Sequence, residues 1–172
     1  PEVSTLSLRF EGQQLLAPGS TTYVTVSPTP PRVTLGGPPN PDSGRLATLS
    51  FSQGSSAGAE LVIPQNFFES SGCGALDIKN DDGEFLVPAG RDIELPPYTR
   101  LSATGRKIDI QGSIRAPGGS LAFIATHVSP YLTEIENALI INYTGPQRDF
   151  SRGSVTLGPS SRLDVAGLVL DD

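Results

Sequence analysis

Short strand-like triplets, several with alternating polarity, recur through the middle of the chain at intervals of five to nine residues. Alternate side chains of an extended strand point to opposite faces, so such triplets fit strands with one buried face. The seven triplets begin at Leu76, Phe85, Ile93, Leu101, Ile108, Ser113 and Leu121. Segments rich in Gly, Pro, Asn and Asp separate them and favour turns. The pattern predicts an all-β region of short strands joined by tight turns.

Strands of this length bury too little surface as isolated hairpins. If the chain coils, each strand pairs with its equivalent one coil later, and three strands per coil give a repeat of roughly 20–25 residues. We therefore predict a parallel β-helix, a solenoid fold, with residues 61–126 as its best-defined coils. An antiparallel β-sandwich also uses short strands and is the alternative. We assign structural turns to Gly83, Gly90, Gly105, Gly118, Gly119 and Gly158.

The amino-terminal region, residues 1–60, carries strand-like runs at 4–10, 21–26 and 46–51. Between the second and third runs, residues 27–44 are rich in Pro. Pro lacks the N–H that a central strand donates to its neighbour, so we predict a surface loop there.

The carboxy-terminal part interrupts the repeat and then returns to it. Residues 127–150 form an excursion, in which 131–142 fits a short helix and 138–143 fits a strand. The strand-like runs 154–157, 162–165 and 168–170 then predict a final coil over residues 151–172. We treat residues 1–172 as a single segment, and the absence of an initial Met suggests part of a longer chain.

Composition narrows the class of partner. The 19 Gly and 16 Pro fit a chain with many corners and few helices. A net charge of −6 repels phosphate backbones, so we expect no nucleic-acid partner. The longest apolar run, residues 138–141, is far shorter than the ~20 residues of a membrane-spanning helix. We expect no membrane span.

Few residues are candidates for chemistry. Cys73 is expected to be a small buried apolar residue, because only one His, His127, could activate it. The acidic cluster at 81–84 has too few carboxylates for a Ca²⁺ site and is read as a solvated turn. Asn142 begins a glycosylation sequon that also occurs commonly by chance. We assign no catalytic residue, no metal ligand and no cofactor.

A polysaccharide-degrading β-helix is the enzymatic alternative, and it would need carboxylates across a groove or beside basic residues. Six charged residues could share one exposed face of the coils, where alternating charges more often form a solubilising ladder. They are Asp77, Arg91, Glu94, Arg106, Lys107 and Asp109.

Three segments resemble the filamentous haemagglutinin-like exoproteins of the two-partner secretion route. They are Gly74-Ala-Leu-Asp-Ile, Val87-Pro-Ala-Gly, and Ile108-Asp-Ile-Gln-Gly-Ser-Ile-Arg-Ala-Pro-Gly-Gly followed by Ser120-Leu-Ala-Phe. The segment Val155-Thr-Leu-Gly-Pro-Ser-Ser-Arg-Leu-Asp-Val-Ala-Gly is similar to another phrase of that family. The resemblance covers residues 61–126 and 153–172 well and residues 1–60 weakly.

The resemblance implies a right-handed parallel β-helix that is secreted or exposed on the surface of a Gram-negative-type cell. Its role would be structural or adhesive: a rigid stalk for adhesion, biofilm formation or display. The expected partners are further β-helix coils or neighbouring subunits at the open ends, and host-cell, glycan or matrix surfaces. The family has no catalytic motif to transfer, so we expect no enzyme. A carbohydrate- or protein-binding sandwich, with a groove lined by Tyr23, Tyr98, Tyr131 or Tyr143, and the polysaccharide-degrading enzyme are the alternatives.

Overall fold

The computed structural model of the protein describes residues 4–9, 13–16, 23–26, 32–38, 60–129 and 152–167. Twelve strands and one helix lie within these residues. The strands are β1 (Thr5–Arg9), β2 (Gln13–Leu16), β3 (Tyr23–Val26), β4 (Arg32–Gly37), β5 (Glu60–Pro64), β6 (Ala75–Val87), β7 (Asp92–Glu94), β8 (Arg100–Ile110), β9 (Ser113–Arg115), β10 (Ser120–Ala125), β11 (Ser154–Leu157) and β12 (Arg162–Asp164). The helix, α1, spans Phe67–Ser71.

The strands stack in three parallel rows. Row A contains β1, the first part of β6, the first part of β8, and β10. Row B contains β5, β4, the second part of β6, the second part of β8, and β11. Row C contains β7, β9 and β12. Because β6 and β8 each run through rows A and B, these two rows form one seven-stranded sheet, and row C is a separate three-stranded sheet.

Among strands β6 to β10, the spacing between paired positions is the predicted repeat, and the pairs that involve β1, β4, β5, β11 and β12 are separated by longer intervals. In row A, Ala75 pairs with Arg100, which in turn pairs with Ser120. In row C, Asp92 pairs with Ser113. These steps of 25, 20 and 21 residues lie within the predicted 20–25. Each of the paired residues is the first residue of a strand that carries a predicted triplet.

The core is built from the same inward position of successive strands. Leu76 lies opposite Leu101 in row A, and Phe85 lies opposite Ile108 in row B. In row C, Ile93 lies opposite Ile114. None of these six side chains is more than 1% exposed, and burying each one contributes about 1.5–3 kcal/mol. All six belong to one continuous apolar cluster.

The strand predictions are largely confirmed. All seven triplets fall on β6 to β10, with only the last residue of the third lying just beyond β7. The runs at 4–10, 21–26, 154–157 and 162–165 contain β1, β3, β11 and β12. The antiparallel sandwich is not the arrangement found, because β2–β3 is the one antiparallel pair among the described strands.

The prediction that residues 27–44 form a surface loop is wrong in part. β4 lies inside this segment and pairs with β5 on one side and β6 on the other. Val33 and Leu35 are fully buried. The Pro residues flank β4 and none lies within it, so its backbone can pair on both sides.

The helix α1 closes the core at the β5 end of row B. It follows β5 directly, and it buries Phe67 and Phe68 edge to face in the same apolar cluster. Just before the helix, the Nε2 group of Gln65 donates a hydrogen bond of 2.8 Å to the carbonyl oxygen of Asp92. This contact places the start of α1 beside β7, the first strand of row C.

Several predictions fall outside the described residues: the strand at 46–51, the sequon at Asn142, the strand at 168–170, and the helix or strand within the excursion. No helix in the described ranges has the length and apolarity that crossing a membrane requires.

Candidate functional site

The acidic residues 81–84 lie inside β6, where the strand passes from row A to row B. The interpretation as a solvated turn is therefore wrong. The three carboxylates are half-buried, and each has a cationic neighbour. The ion pairs are Lys79–Asp81 (3.7 Å), Arg152–Asp82 (2.6 Å), Arg32–Glu84 (3.1 Å) and Arg106–Glu84 (3.1 Å).

A second set of contacts joins this corner to the two ends of the excursion. Arg152 donates from Nη1 to Oδ1 of Asp82 and from Nη2 to the carbonyl oxygen of Asp81, at 2.6 and 2.8 Å. Ser129 donates to the other carboxylate oxygen of Asp82 at 2.9 Å, and Thr126 donates to the Asp81 carbonyl at 3.0 Å. We call these five residues the corner clamp. It fixes the chain where residues 130–151 begin and where they end.

The corner clamp is a structural feature and has no donor set for a metal. Its two carboxylates already have partners: that of Asp82 is bound by a guanidinium and a hydroxyl group, and that of Asp81 is paired with Lys79. Across the described ranges, no three His, Cys, Asp or Glu side chains come together in a way that could hold a metal ion.

The six charged residues considered for a shared face are distributed over all three rows. Asp77 lies in row A, Lys107 and Asp109 lie in row B, and Glu94 lies in row C. Arg106 occupies the corner of β8 and Arg91 precedes β7. A catalytic constellation of these six is therefore not formed.

Charges nevertheless alternate along individual rows. In row B, Glu60, Arg32, Glu84 and Lys107 occupy successive paired positions. In row C, Glu94, Arg115 and Asp164 do the same, with Arg115 3.0 Å from Glu94. Opposite charges on neighbouring strands stabilise the pairing by roughly 0.2–1 kcal/mol each, so these ladders favour this register.

A shallow depression of about 400 Å³ lies over the outer face of row C. The charged residues around it are Asp92, Glu94, Arg115, Arg162 and Asp164. Glu94 is paired with Arg115 at 3.0 Å and Asp164 with Arg162 at 2.9 Å.

The surroundings of Asp164 lower the pKa of its carboxyl group, whereas a general acid needs a raised pKa. A hydrogen bond from the backbone N–H of Ala166, at 2.9 Å, lowers the pKa of Asp164 most strongly. Partial desolvation opposes this shift, and the positive charges of Arg162 and Arg115 add to it. A catalytic acid for glycoside cleavage needs a raised pKa, so Asp164 suits an ionised partner in the charge ladder.

Core positions at the β11–β12 end are exposed. Val155 lies opposite the buried Ile108, and Leu163 lies opposite the buried Ile114. The exposed fractions of the four apolar side chains at this end are 50% for Val155, 57% for Leu157, 39% for Leu163 and 46% for Val165. We call this surface the open end. The α1 end differs, because its apolar side chains Phe67 and Phe68 are buried.

Cys73 is buried, as expected, and its thiol contacts the carbonyl oxygen of Ala75 at 2.8 Å. His127 is exposed and packs near Gly153, so it lies at the foot of the excursion. Tyr98 is two-thirds exposed and lies in a turn with φ of 63°. Of the other Tyr residues proposed for a groove, Tyr131 and Tyr143 lie outside the described residues.

The assigned turn glycines fall into two groups. Four lie between strands, with left-handed φ at two of them: Gly90 (71°), Gly118 (64°), Gly119 and Gly158. Gly83 and Gly105 lie inside β6 and β8, at the corners between rows A and B, and not in separate turns.

Sequence reasoning missed the corner clamp. Arg152 lies 70 residues from Asp82, and no local pattern marks an Arg for burial. The one available signal was the position of Arg152 at the end of the interruption, directly before the strand pattern resumes.

Neither a family model, nor a curated protein, nor a solved structure matches this chain.

Proposed function

We propose that the chain is a segment of a right-handed parallel β-helix that acts as a rigid spacer in a secreted, filamentous haemagglutinin-like surface protein. Its role is structural and adhesive, in the sense that it holds other parts of the surface protein at a fixed distance. The observation that carries the proposal is the register of the three rows. Paired positions are 25 residues apart from β6 to β8, 20 from β8 to β10 and 21 from β7 to β9.

Rigidity follows from this arrangement. Each inner strand bonds to a neighbour on both sides, and its inward side chains pack on those of the strands before and after it. Each repeat of a stacked fold is supported by its neighbours. A crossover between parallel strands of one sheet is right-handed in about 98% of cases, which supports the proposed hand.

The corner clamp supports a display role. A spacer that presents a surface segment must hold both ends of it, and Ser129 and Arg152 are both bound to Asp82. Because Ser129 and Arg152 both bind Asp82 of β6, the two ends of the excursion are held at fixed positions on the rows.

Double electron–electron resonance tests the spacer role. Spin labels at Glu69→Cys on α1 and Thr156→Cys on β11, in a Cys73→Ala background, report the distance between the two ends; both labelled sites are exposed. A rigid spacer gives a single narrow distance distribution that does not change between low and high viscosity. A broad or two-component distribution would contradict the proposal.

The polysaccharide-degrading alternative has one observation in its favour, the depression over row C with carboxylates on its rim. It is tested by the release of reducing ends from a panel of acidic and neutral polysaccharides. Glu94→Gln and Asp92→Asn are the informative variants. Release by the unaltered chain that is lost in either variant would replace the spacer proposal by the enzymatic one.

A further inference from the structure

We propose that the corners between rows A and B form the display edge of this chain: the stack carries additional segments at these corners, and its other two sets of corners are closed to them. A corner is the turn at which the chain passes from one row to the next. The purpose of the edge rests on the proposed function, whereas its position rests on the strand register alone. A partner of the displayed segments would meet the stack on this side.

Only the A–B corners differ widely in length among the described rows. The B–C corners are 88–91, 111–112 and 158–161, and the C–A corners are 95–99 and 116–119. The A–B corners are 10–31, 81–83, Arg106 and 126–153. Residues 38–59 join two strands of row B, so they do not connect one row to another. In folds of stacked repeats, insertions collect on one face, which is often the binding face.

The B–C and C–A corners are closed by close backbone contacts between repeats. At a B–C corner, the N–H of Ser113 donates to the carbonyl oxygen of Arg91 at 2.7 Å. A Cβ atom on Gly112 would lie 2.5 Å from that same oxygen, and at a C–A corner one on Gly119 would lie 2.1 Å from the carbonyl oxygen of Thr99. A segment inserted at either corner would have to push backbone away from backbone, and this strain cannot be relieved by rotating a side chain.

At the A–B corner of the last repeat, the backbone bonds lie on either side of the excursion. The N–H of Thr126 donates to the carbonyl oxygen of Gly105, and the N–H of Gly153 donates to that of Arg106, both at 2.8 Å. Gly105 and Arg106 are consecutive residues of β8, so the chain departs and returns within one residue step of the same strand. The number of residues between Thr126 and Gly153 can therefore change without the loss of either bond.

The A–B corner of β6 holds the same two feet through side chains. Three residues of β6, 81–83, face Arg106 alone in β8. Asp82, one of the three, accepts from Ser129 at 2.9 Å and from Arg152 at 2.6 Å. These contacts pass over the short corner of β8, where a longer corner would lie in their path. One A–B corner thus carries a segment, and another A–B corner two repeats earlier anchors it.

Segment grafts test the display edge. In the A–B graft, residues 130–151 are replaced by a Gly-Ser segment of the same length with a central hexahistidine, and both feet are kept. Matched grafts insert the same segment in a B–C corner, between Gln111 and Gly112, and in a C–A corner, between Pro117 and Gly118. We expect the A–B graft to keep the cooperative urea transition of the unaltered chain and to bind immobilised nickel while folded. The B–C and C–A grafts are expected to lose the cooperative transition.

Amide exchange gives an independent readout. In the A–B graft, the N–H groups of Thr126 and Gly153 should stay protected, because their bonds to β8 do not depend on the replaced residues. Loss of the cooperative transition or of this protection in the A–B graft overturns the proposal, as does a cooperative transition in either of the other two grafts. The spin-label measurement across the unaltered chain separates the two proposals: a broad distance distribution would refute the rigid spacer, while the graft comparison decides the position of the edge.

Discussion

Arg152 and Asp82 form an ion pair with 2.6 Å between Nη1 and Oδ1, and their side chains are only 11% and 13% exposed. The two residues are 70 positions apart in the sequence. The pair ties the chain that enters β11 to the corner of β6, two repeats earlier in the stack. It therefore links the return from the excursion to an inner strand of the seven-stranded sheet.

Replacing Arg152 should be costly, because it leaves the Asp82 carboxylate largely buried without its cation. We expect Arg152→Met to lower the free energy of unfolding by about 2–4 kcal/mol. This is slightly less than the loss of about 3–5 kcal/mol expected when one partner of a fully buried ion pair is removed, because both side chains are partly exposed. Urea unfolding followed by circular dichroism measures this change. The double variant Arg152→Met/Asp82→Asn should recover part of the loss, since it removes the unpaired charge.

The control for this experiment is the exposed pair in row C. Arg115 and Glu94 lie 3.0 Å apart, with side chains 59% and 69% exposed. Exposed pairs contribute about 0–1 kcal/mol, so Arg115→Met should cost less than about 1 kcal/mol. Equal losses at Arg152 and Arg115 would contradict the role of the corner clamp.

Gly119 is required because two repeats approach closely there. A Cβ atom on Gly119 would lie 2.1 Å from the carbonyl oxygen of Thr99. We expect Gly119→Ala to destabilise the fold by about 1–3 kcal/mol or more, because the obstacle is backbone and cannot rotate away. Gly167→Ala is the control, since nothing lies within 4 Å of its Cβ position. The midpoint of thermal unfolding should fall for Gly119→Ala and stay unchanged for Gly167→Ala.

Tyr98 has a φ of 63°, and it is the one residue other than Gly with positive φ among the described residues. Such backbone costs about 1–3 kcal/mol for an ordinary side chain, and Asn tolerates it better. We expect Tyr98→Asn to raise stability by up to about 1 kcal/mol. Tyr98→Phe keeps the backbone cost and should be neutral. A loss of stability in Tyr98→Asn would contradict this prediction and would show that the ring has a packing role over Gly118.

The lowered pKa of Asp164 predicts a dependence of stability on pH. The folded state favours the ionised carboxylate, so its contribution is fully present above the usual Asp pKa of about 3.9. It is lost as the pH falls through the lower pKa of the folded state. Asp164→Asn keeps an acceptor for Ala166 but has no charge. Its stability should therefore lie below that of the unaltered chain at pH 6, and the difference should vanish at strongly acidic pH. A constant difference across this range would contradict the assignment.

The strands were predictable because their signal is local. The triplets beginning at Leu76 and Ile108 place two apolar side chains on one face, and the structure buries those side chains in the core. The repeat length followed from the same spacing. β4 was missed because the prediction used the average composition of residues 27–44, which is rich in Pro. β4 is a run of only six residues without Pro, and an average over the whole segment does not detect so short a run.

The contacts between distant residues were not predictable. Whether residues 81–84 face water depends on Arg152 and Arg106, whose positions are set by how the repeats stack. The six charges considered for one face were separated because each corner of the chain turns the next strand to another row. The open end is likewise a property of the stack, since Val155 and Ile108 have the same local pattern and opposite exposure.

The central claim is that the rows consist of interchangeable repeats, and removal of one repeat tests it most directly. Deleting residues 100–119 joins Thr99 to Ser120, which occupies the paired position of Arg100. β10, β11 and β12 then meet β6 and β7 in the existing register. We predict that this variant unfolds cooperatively in urea, keeps its β-type circular dichroism, and is shorter by one strand spacing of about 4.8 Å. Deleting only residues 100–109 breaks the register and should abolish the transition. If both deletions unfold alike, or if the 20-residue deletion alone fails to fold, the account is wrong.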